Sequence, residues 1–325
     1  MNASALESSL REYVREQLLE PRGLGVAEFR LIEPETGVKT FVRLVEIPGQ
    51  AGYALRVYPR WERWRAVRRL HVEKLLRQND LPAPRLANWR LGTIWRGPSI
   101  VVEELLRGRH VAPGEWTPPR AEQFAETLLR FHAVSSPRHG PVEKPASGAF
   151  FDSLWSKVRH RFRGVRRRAG QRVTRRALIE TARWFRSWRE RFAGMDRFDL
   201  IHDKLNSGNV MWMDAEARFA LLDFETLQYG CRVKDWAQAE HDVLSEDEAA
   251  VQAFRAATVA GLPAPAREFC ERVTPFFHAY YHLSEAATAL KRSRRSTRLA
   301  VVDGNLIRLD RHWAEMERIV RELNS

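Results

Sequence analysis

The sequence predicts an α+β protein of two lobes, a small and mostly antiparallel sheet carrying one helix, and after it a large helical lobe. Three observations predict it. Short β-branched and aromatic stretches divided by Gly and Pro crowd the first third of the chain. Helical periodicity dominates the remaining two thirds, and one β-like island, Leu200–Asp223, interrupts it.

Residues 3–20 read as an amphipathic helix, with Leu6, Leu10, Val14, Leu18 and Leu19 on one side. Three strand-like stretches come next, Phe29–Glu33, Thr40–Ile47 and Tyr53–Tyr58, divided by Gly37 and by Pro48-Gly49; an antiparallel meander is their simplest solution. Trp61–Gln78 has helical spacing through Trp64, Val67, Leu70, Leu75 and Leu76. It stops before Leu81-Pro82-Ala83-Pro84, where proline forbids continuation. Two further strands, Arg85–Arg90 and Ser99–Glu104, complete a β-β-β-α-β-β order. The domain expectation is a helical extension at 1–26, a first lobe at 27–106 and a second at 107–325, with a hinge near Glu104–Gly108 and a cleft between the lobes.

Composition narrows the function classes. With 325 residues and 44% hydrophobic content the chain can build a sizeable core, which argues against disorder. Cys231 and Cys270 are too few for a disulfide scaffold and give no zinc-type spacing. No apolar run approaches the ~18–20 residues of a membrane span, and charges interrupt residues 1–24 where a secretory segment needs an apolar run, so a cytoplasmic protein is expected.

The net charge is +13, and only seven of the 54 basic residues are lysines. Lys157–Arg191 alone holds fourteen of them against two acids, Glu180 and Glu190. Two readings stay open for this basic insert at about 151–192. It is an anion-facing surface for phosphate, nucleic acid or an anionic membrane, or it is the solvated side of two amphipathic helices. The apolar sides of such helices would be Leu154, Trp155, Val158, Phe162 and Val165, then Val173, Ala177, Thr181, Trp184, Phe185, Trp188 and Phe192.

The chemistry concentrates in Leu200-Ile201-His202-Asp203-Lys204-Leu205-Asn206-Ser207-Gly208-Asn209-Val210 and, after a hairpin-like interval, Leu221-Leu222-Asp223-Phe224-Glu225. This puts an Asn and an Asp on adjacent strand ends, fourteen residues apart. Both offer hard oxygen ligands of the kind that hold a nucleotide's Mg²⁺ together with phosphates and water.

The order of these residues resembles the catalytic and metal-binding loops of the protein-kinase-like superfamily, most closely its aminoglycoside phosphotransferase and choline kinase branch. The resemblance implies a two-lobed kinase-like fold, ATP or another NTP as donor, and Mg²⁺ held by Asn209 and Asp223. His202 matches the loop histidine. Ala54-Leu55-Arg56-Val57-Tyr58 resembles the third strand, making Arg56 the α/β-phosphate contact. Ile100–Leu105 looks like the hinge strand, so the backbone of Glu104 and Leu105 would meet the adenine edge. Leu129-Arg130-Phe131-His132-Ala133 looks like a helix end of the family, and Asp235 matches the acid that anchors the catalytic loop by hydrogen bonds. The resemblance spans about residues 27–240.

The pattern breaks in three places. Five residues before Asn209, where the family has a proton-accepting Asp, stands Lys204; a protonated lysine donates hydrogen bonds and accepts none. Either a one-residue bulge brings Asp203 into the cleft, or Lys204 stabilises the γ-phosphate and the base is lost. The loop Glu33-Pro34-Glu35-Thr36-Gly37-Val38-Lys39 holds a single glycine. The helix position of the ion-pairing Glu carries Arg69; either Glu73, one turn later and the favoured partner of Arg56, takes its place, or Arg69 faces Arg56 and the usual pair is absent.

The expectation is therefore an ATP-dependent phosphotransferase acting on a hydroxyl of a small or anionic amphiphilic acceptor, such as a sugar or glycolipid. Peripheral contact with an anionic membrane surface would suit the basic insert. The alternatives are a pseudokinase that keeps nucleotide binding without transfer, and a nucleic-acid-binding protein using the arginine-rich helices.

Overall fold

The computed structural model describes residues 3–24, 28–33, 41–93, 97–244, 247–295 and 299–323. The expected loop between the first two strands, 33–39, lies outside them except for Glu33. In chain order the elements are α1 (Ala3–Val14), β1 (Arg30–Ile32), β2 (Phe41–Glu46), β3 (Tyr53–Tyr58), α2 (Arg63–Gln78), β4 (Leu86–Arg90), β5 (Ser99–Glu104) and α3 (Pro118–Ala133). Next come β6 (Ser135–Ser136), β7 (Gly140–Pro141), α4 (Phe150–Arg168), α5 (Arg175–Ser187), β8 (Phe198–Ile201), β9 (Val210–Met213), β10 (Arg218–Leu221), β11 (Gln228–Gly230), α6 (Val233–Gln238), α7 (Glu248–Ala260), α8 (Ala264–Ser293) and α9 (Leu299–Glu322).

The chain divides into two compact units, 1–111 with 208–226, and 112–207 with 227–325. Two sequence boundaries shift as a result. The segment 208–226, expected in the second lobe, joins the first unit because Trp212 pairs with Arg109 and the Leu221 N–H donates to the Pro82 carbonyl at 3.1 Å. The helical extension is part of the same unit. Leu10, Tyr13 and Val14 are buried with Val45, Leu55, Val57 and Val102, so α1 covers one face of the sheet.

That sheet has the order β1-β2-β3-β5-β4, antiparallel throughout. Strand alternation turns Tyr53, Leu55 and Val57 toward α1 and leaves Arg56 on the other face, where Tyr58 and Val101 pack against Ala66 of α2.

The second unit is helical around a small sheet of order β6-β8-β11-β7. Sequence patterning does not reveal β6, β7 and β11, which are two or three residues long and carry no alternation to read. The basic insert folds as α4 and α5. Phe162, Val165, Trp184, Phe185, Trp188 and Phe192 are buried, and Phe185, Trp188 and Phe192 meet Phe276 of α8 with ring centroids 5.1–5.8 Å apart. Twelve of the fourteen basic side chains between 157 and 191 are exposed; Lys157 and Arg161 are half-buried. The solvated-face reading therefore accounts for most of this charge, and Arg172 and Arg176 pair with Asp310 and Glu180 at 2.6 and 2.7 Å. Among the described residues no helix is long and apolar enough to cross a membrane.

Candidate active site

The first unit carries Asn209 and Asp223. The hairpin register pairs Val210 with Leu221, and the Leu222 N–H donates to the Asn209 carbonyl at 2.9 Å. Asn209 therefore enters and Asp223 leaves the same end of the hairpin. Asn209 is buried at the end of a 3₁₀ turn, Ser207–Asn209. Asp223 has φ of 61°. A non-glycine residue pays on the order of 1–3 kcal/mol for that left-handed backbone, a cost that concentrates at functional sites. Of the four non-glycine residues with positive φ among those described, two are the candidate acids Asp203 and Asp223.

Arg56 approaches Asp223 closely enough for the carboxylate to favour its charge. Its ion-pair partner corrects the sequence expectation. Arg56 Nε donates to Glu103 Oε2 at 2.8 Å, while Glu73 accepts from Arg69 at 3.1 Å and from Arg77 at 2.9 Å. Arg69, in turn, donates to Glu103 Oε1 and to the Pro84 carbonyl. One carboxylate of β5 thus serves a guanidinium of β3 and another of α2.

The reason is register. Val101 stands opposite Arg56, which makes Glu103 its diagonal neighbour on the same face. Burial opposes the Glu103 charge, but Arg69 and Arg56 outweigh it and lower its pKa to about 2. The same balance holds for Arg56, where burial disfavours the cation and Glu103, Tyr58 and Asp223 together raise its pKa. Glu103 and Arg65 are the functional candidates that sequence reasoning missed. Arg65 ties α2 to Glu225, two residues past Asp223, and to Glu62. The cavity among Arg56, Tyr58, Arg65, Arg69, Asp223 and Glu225 holds about 10 Å³, room for one water.

The N–H groups of the two expected hinge residues are already engaged. Glu104 N–H donates to the Arg85 carbonyl at 2.8 Å and Leu105 N–H to Gly52 at 3.0 Å. An adenine edge seeking a backbone donor at either residue meets a bond already made.

The second unit carries the loop residues. Asp235 of α6 is fully buried and accepts from the backbone N–H of His202 at 2.8 Å and of Asp203 at 2.9 Å, with His132 Nε2 3.2 Å away. Burial pushes its carboxyl up, but the hydrogen bond and charge of His132 and the contacts with His202 prevail, and its pKa is lowered. Gln238, one turn along α6, accepts from Leu205 N–H at 3.2 Å. The loop is therefore held by its backbone from one helix.

Asp203, with φ of 67°, turns its carboxylate onto the buried Lys234 ammonium, and Lys204 is exposed. Among the described residues no group of three or more His, Cys, Asp or Glu side chains is arranged to hold a metal ion. An ion at Asn209 and Asp223 would need phosphate and water oxygens to complete its shell, which is how Mg²⁺ is held with a nucleotide.

A family model described as the phosphotransferase enzyme family matches residues 35–269. The chain belongs to the phosphotransferase enzyme family. A search of curated protein sequences finds no match. Solved structures give the fold. An ethanolamine kinase of Plasmodium vivax aligns with TM-score 0.64 at 15% identity, over 96% of this chain and 90% of its own. The aminoglycoside phosphotransferase APH(4)-Ia aligns with TM-score 0.59 at 15% identity, over 98% and 99%. A GDP and kanamycin complex of APH(2")-IIia aligns with TM-score 0.61 at 13% identity, over 93% and 99%. The family member thus has the α+β, kinase-like fold that its loop residues imply.

Proposed function

We propose that this phosphotransferase moves the γ-phosphoryl group of ATP, or another NTP, to a hydroxyl of a small or amphiphilic acceptor such as a sugar or glycolipid. The observation that carries this reading is the hairpin end shared by Asn209 and Asp223, with Arg56 beside the Asp223 carboxylate. The amide oxygen of Asn209 and the Asp223 carboxylate are the hard donors Mg²⁺ takes, and when bound the ion screens the charge of the transferring phosphate.

The chain's own residues do the rest. Arg56, fixed in its rotamer by Glu103, presents guanidinium N–H groups to phosphate oxygens. Asp203 accepts the hydroxyl proton, its backbone aimed by Asp235. Asp223→Ala lowers ATP-dependent transfer or ATP hydrolysis by at least about 100-fold in this reading. Turnover that survives the substitution sinks the placement of the site at Asp223, and no transfer by the wild-type chain sinks the reading itself.

A second reading has an observation of its own. The position of the family's proton-accepting Asp holds Lys204, and the neighbouring Asp203 is already paired with Lys234. A pseudokinase accounts for both. It predicts a magnesium-dependent thermal shift with ATP and no phosphate transferred to any acceptor or to water.

A further inference from the structure

Resting on the phosphotransferase reading, we infer that Lys157 and Lys234 form a subsite for an anionic group, a phosphate monoester or carboxylate, carried by the acceptor itself. Lys157 comes from α4 and Lys234 from α6, and both border a cavity with Gln228, His139, Ser153 and Tyr229. Lys234 is buried, its Nζ bonded to Asp203 and 5.2 Å from the ring centre of Tyr280. Lys157, half-buried, donates to Gln228 Oε1 at 3.2 Å.

The Lys234 ammonium is paired with the Asp203 carboxylate, whereas the Lys157 ammonium meets the neutral amide of Gln228. Burial and the nearby Lys234 hold Lys157 below the ordinary lysine range, with Asp203 and Tyr280 pulling the other way and Arg161 adding to the positive field. Burial also opposes the charge of Lys234, but Asp203 and Tyr280 reverse the outcome and its pKa is raised. A buried positive surplus is costly until an anion neutralises it. The cavity volume is about 10 Å³, so a terminal oxygen enters it and not a whole phosphate. Such an anion would sit beside Asp203, the proposed proton acceptor, and orient the acceptor's hydroxyl toward it. The choice of residue also stands out: a chain with seven lysines against an arginine majority puts two of them here.

The test uses the full chain with lysine side chains labelled at Cε, titrated by NMR with inorganic phosphate and with glycerol 3-phosphate against glycerol. The expected result is saturable binding of both anions and none of glycerol, with the titration midpoint of Lys157 rising on saturation. Lys157→Met should weaken both anions by about tenfold or more, and Lys157→Arg should restore most of the loss. Arg183→Gln, on the exposed side of α5, serves as the control and should change nothing.

An unmoved Lys157 resonance, or phosphate affinity equal in wild type and Lys157→Met, overturns the subsite. If Lys157→Met weakens ATP but not ADP, the lysine serves the donor's γ-phosphate and the acceptor assignment is overturned. Because anion binding is read without turnover, the absence of any ATP-dependent transfer by the wild-type chain would remove the phosphotransferase reading while leaving this result to stand or fall separately.

Discussion

Glu103 and Asp235 are both buried carboxylates with lowered pKa values, yet they are kept ionised by different means. Glu103, on the sheet of the first unit, is matched by two guanidiniums. Asp235, on α6 of the second, accepts two backbone N–H groups and faces a histidine ring. The first is an exchange of charge for charge and belongs to the packing between strand and helix. The second spends a carboxylate on fixing the path of a loop. Loss of Glu103 should therefore appear first in stability, and loss of Asp235 first in turnover.

The largest expected effect is at Glu103. Glu103→Ala strands the Arg56 and Arg69 guanidiniums and should cost about 3–5 kcal/mol in chemical denaturation. A cost under about 1 kcal/mol would mean that these cations find other partners and would erase the contrast with Asp235.

Asp235→Asn keeps the shape but offers one acceptor oxygen where two N–H groups converge. It should lower kcat by about 100-fold through loop misplacement, with a stability loss of only about 1–3 kcal/mol. Equal losses in both measurements would show that the two carboxylates are the same kind of device.

A pH series separates them further. The folded pKa of Glu103, about 2, lies below its unfolded value, so its stabilisation is full above pH ~4.5 and fades as the pH falls toward 2. A histidine cluster in the second unit acts at higher pH. His241 Nε2 lies 2.8 Å from His278 Nδ1, and His282 Nδ1 lies 3.0 Å from His312 Nδ1. Burial first, and neighbouring histidines and arginines next, push His241, His278 and His312 down to about 4 and His282 to about 2.

Below pH ~6.5 the unfolded chain takes up protons that these folded imidazoles refuse. Stability should fall from there toward pH 4, despite the opposing pull of Glu240 and Glu315 on His241. Asp242, raised to about 6 mainly by burial, returns part of the loss because it holds an extra proton when folded. His312→Gln should flatten this slope in a plot of melting temperature against pH and leave the acid limb of Glu103 untouched.

The smallest effect is expected on the basic face. Arg176→Gln removes an exposed pair with Glu180 and should leave the denaturation midpoint where it was.

Much of this was legible in the residues. Tyr53–Tyr58 and the helix ending at Gln78 match β3 and α2, because period-2 and period-3.6 patterns are written in consecutive side chains. Asn209 and Asp223 were readable as strand ends from the hairpin-like interval between them. The partner of Arg56 was not, since Glu103 stands 47 positions away and only the β3–β5 register makes it a diagonal neighbour. Glu73 was expected there because helix periodicity gives a face and not a reach. Neither was Lys157 legible as anything but one more charge in a basic run, until α4 and α6 brought it near Lys234 and Asp203.

By itself the sequence determined the α+β class, the order of the elements, and the loop residues that mark a phosphotransferase. These depend on neighbours within a turn or two of chain, where spacing dictates geometry. The tertiary structure decided which cation meets which carboxylate: Glu103 for Arg56, Lys234 for Asp203, backbone N–H groups for Asp235. Such pairings join residues far apart in the chain. Coulomb and hydrogen-bond energies act through space, so only the folded distances can choose among them.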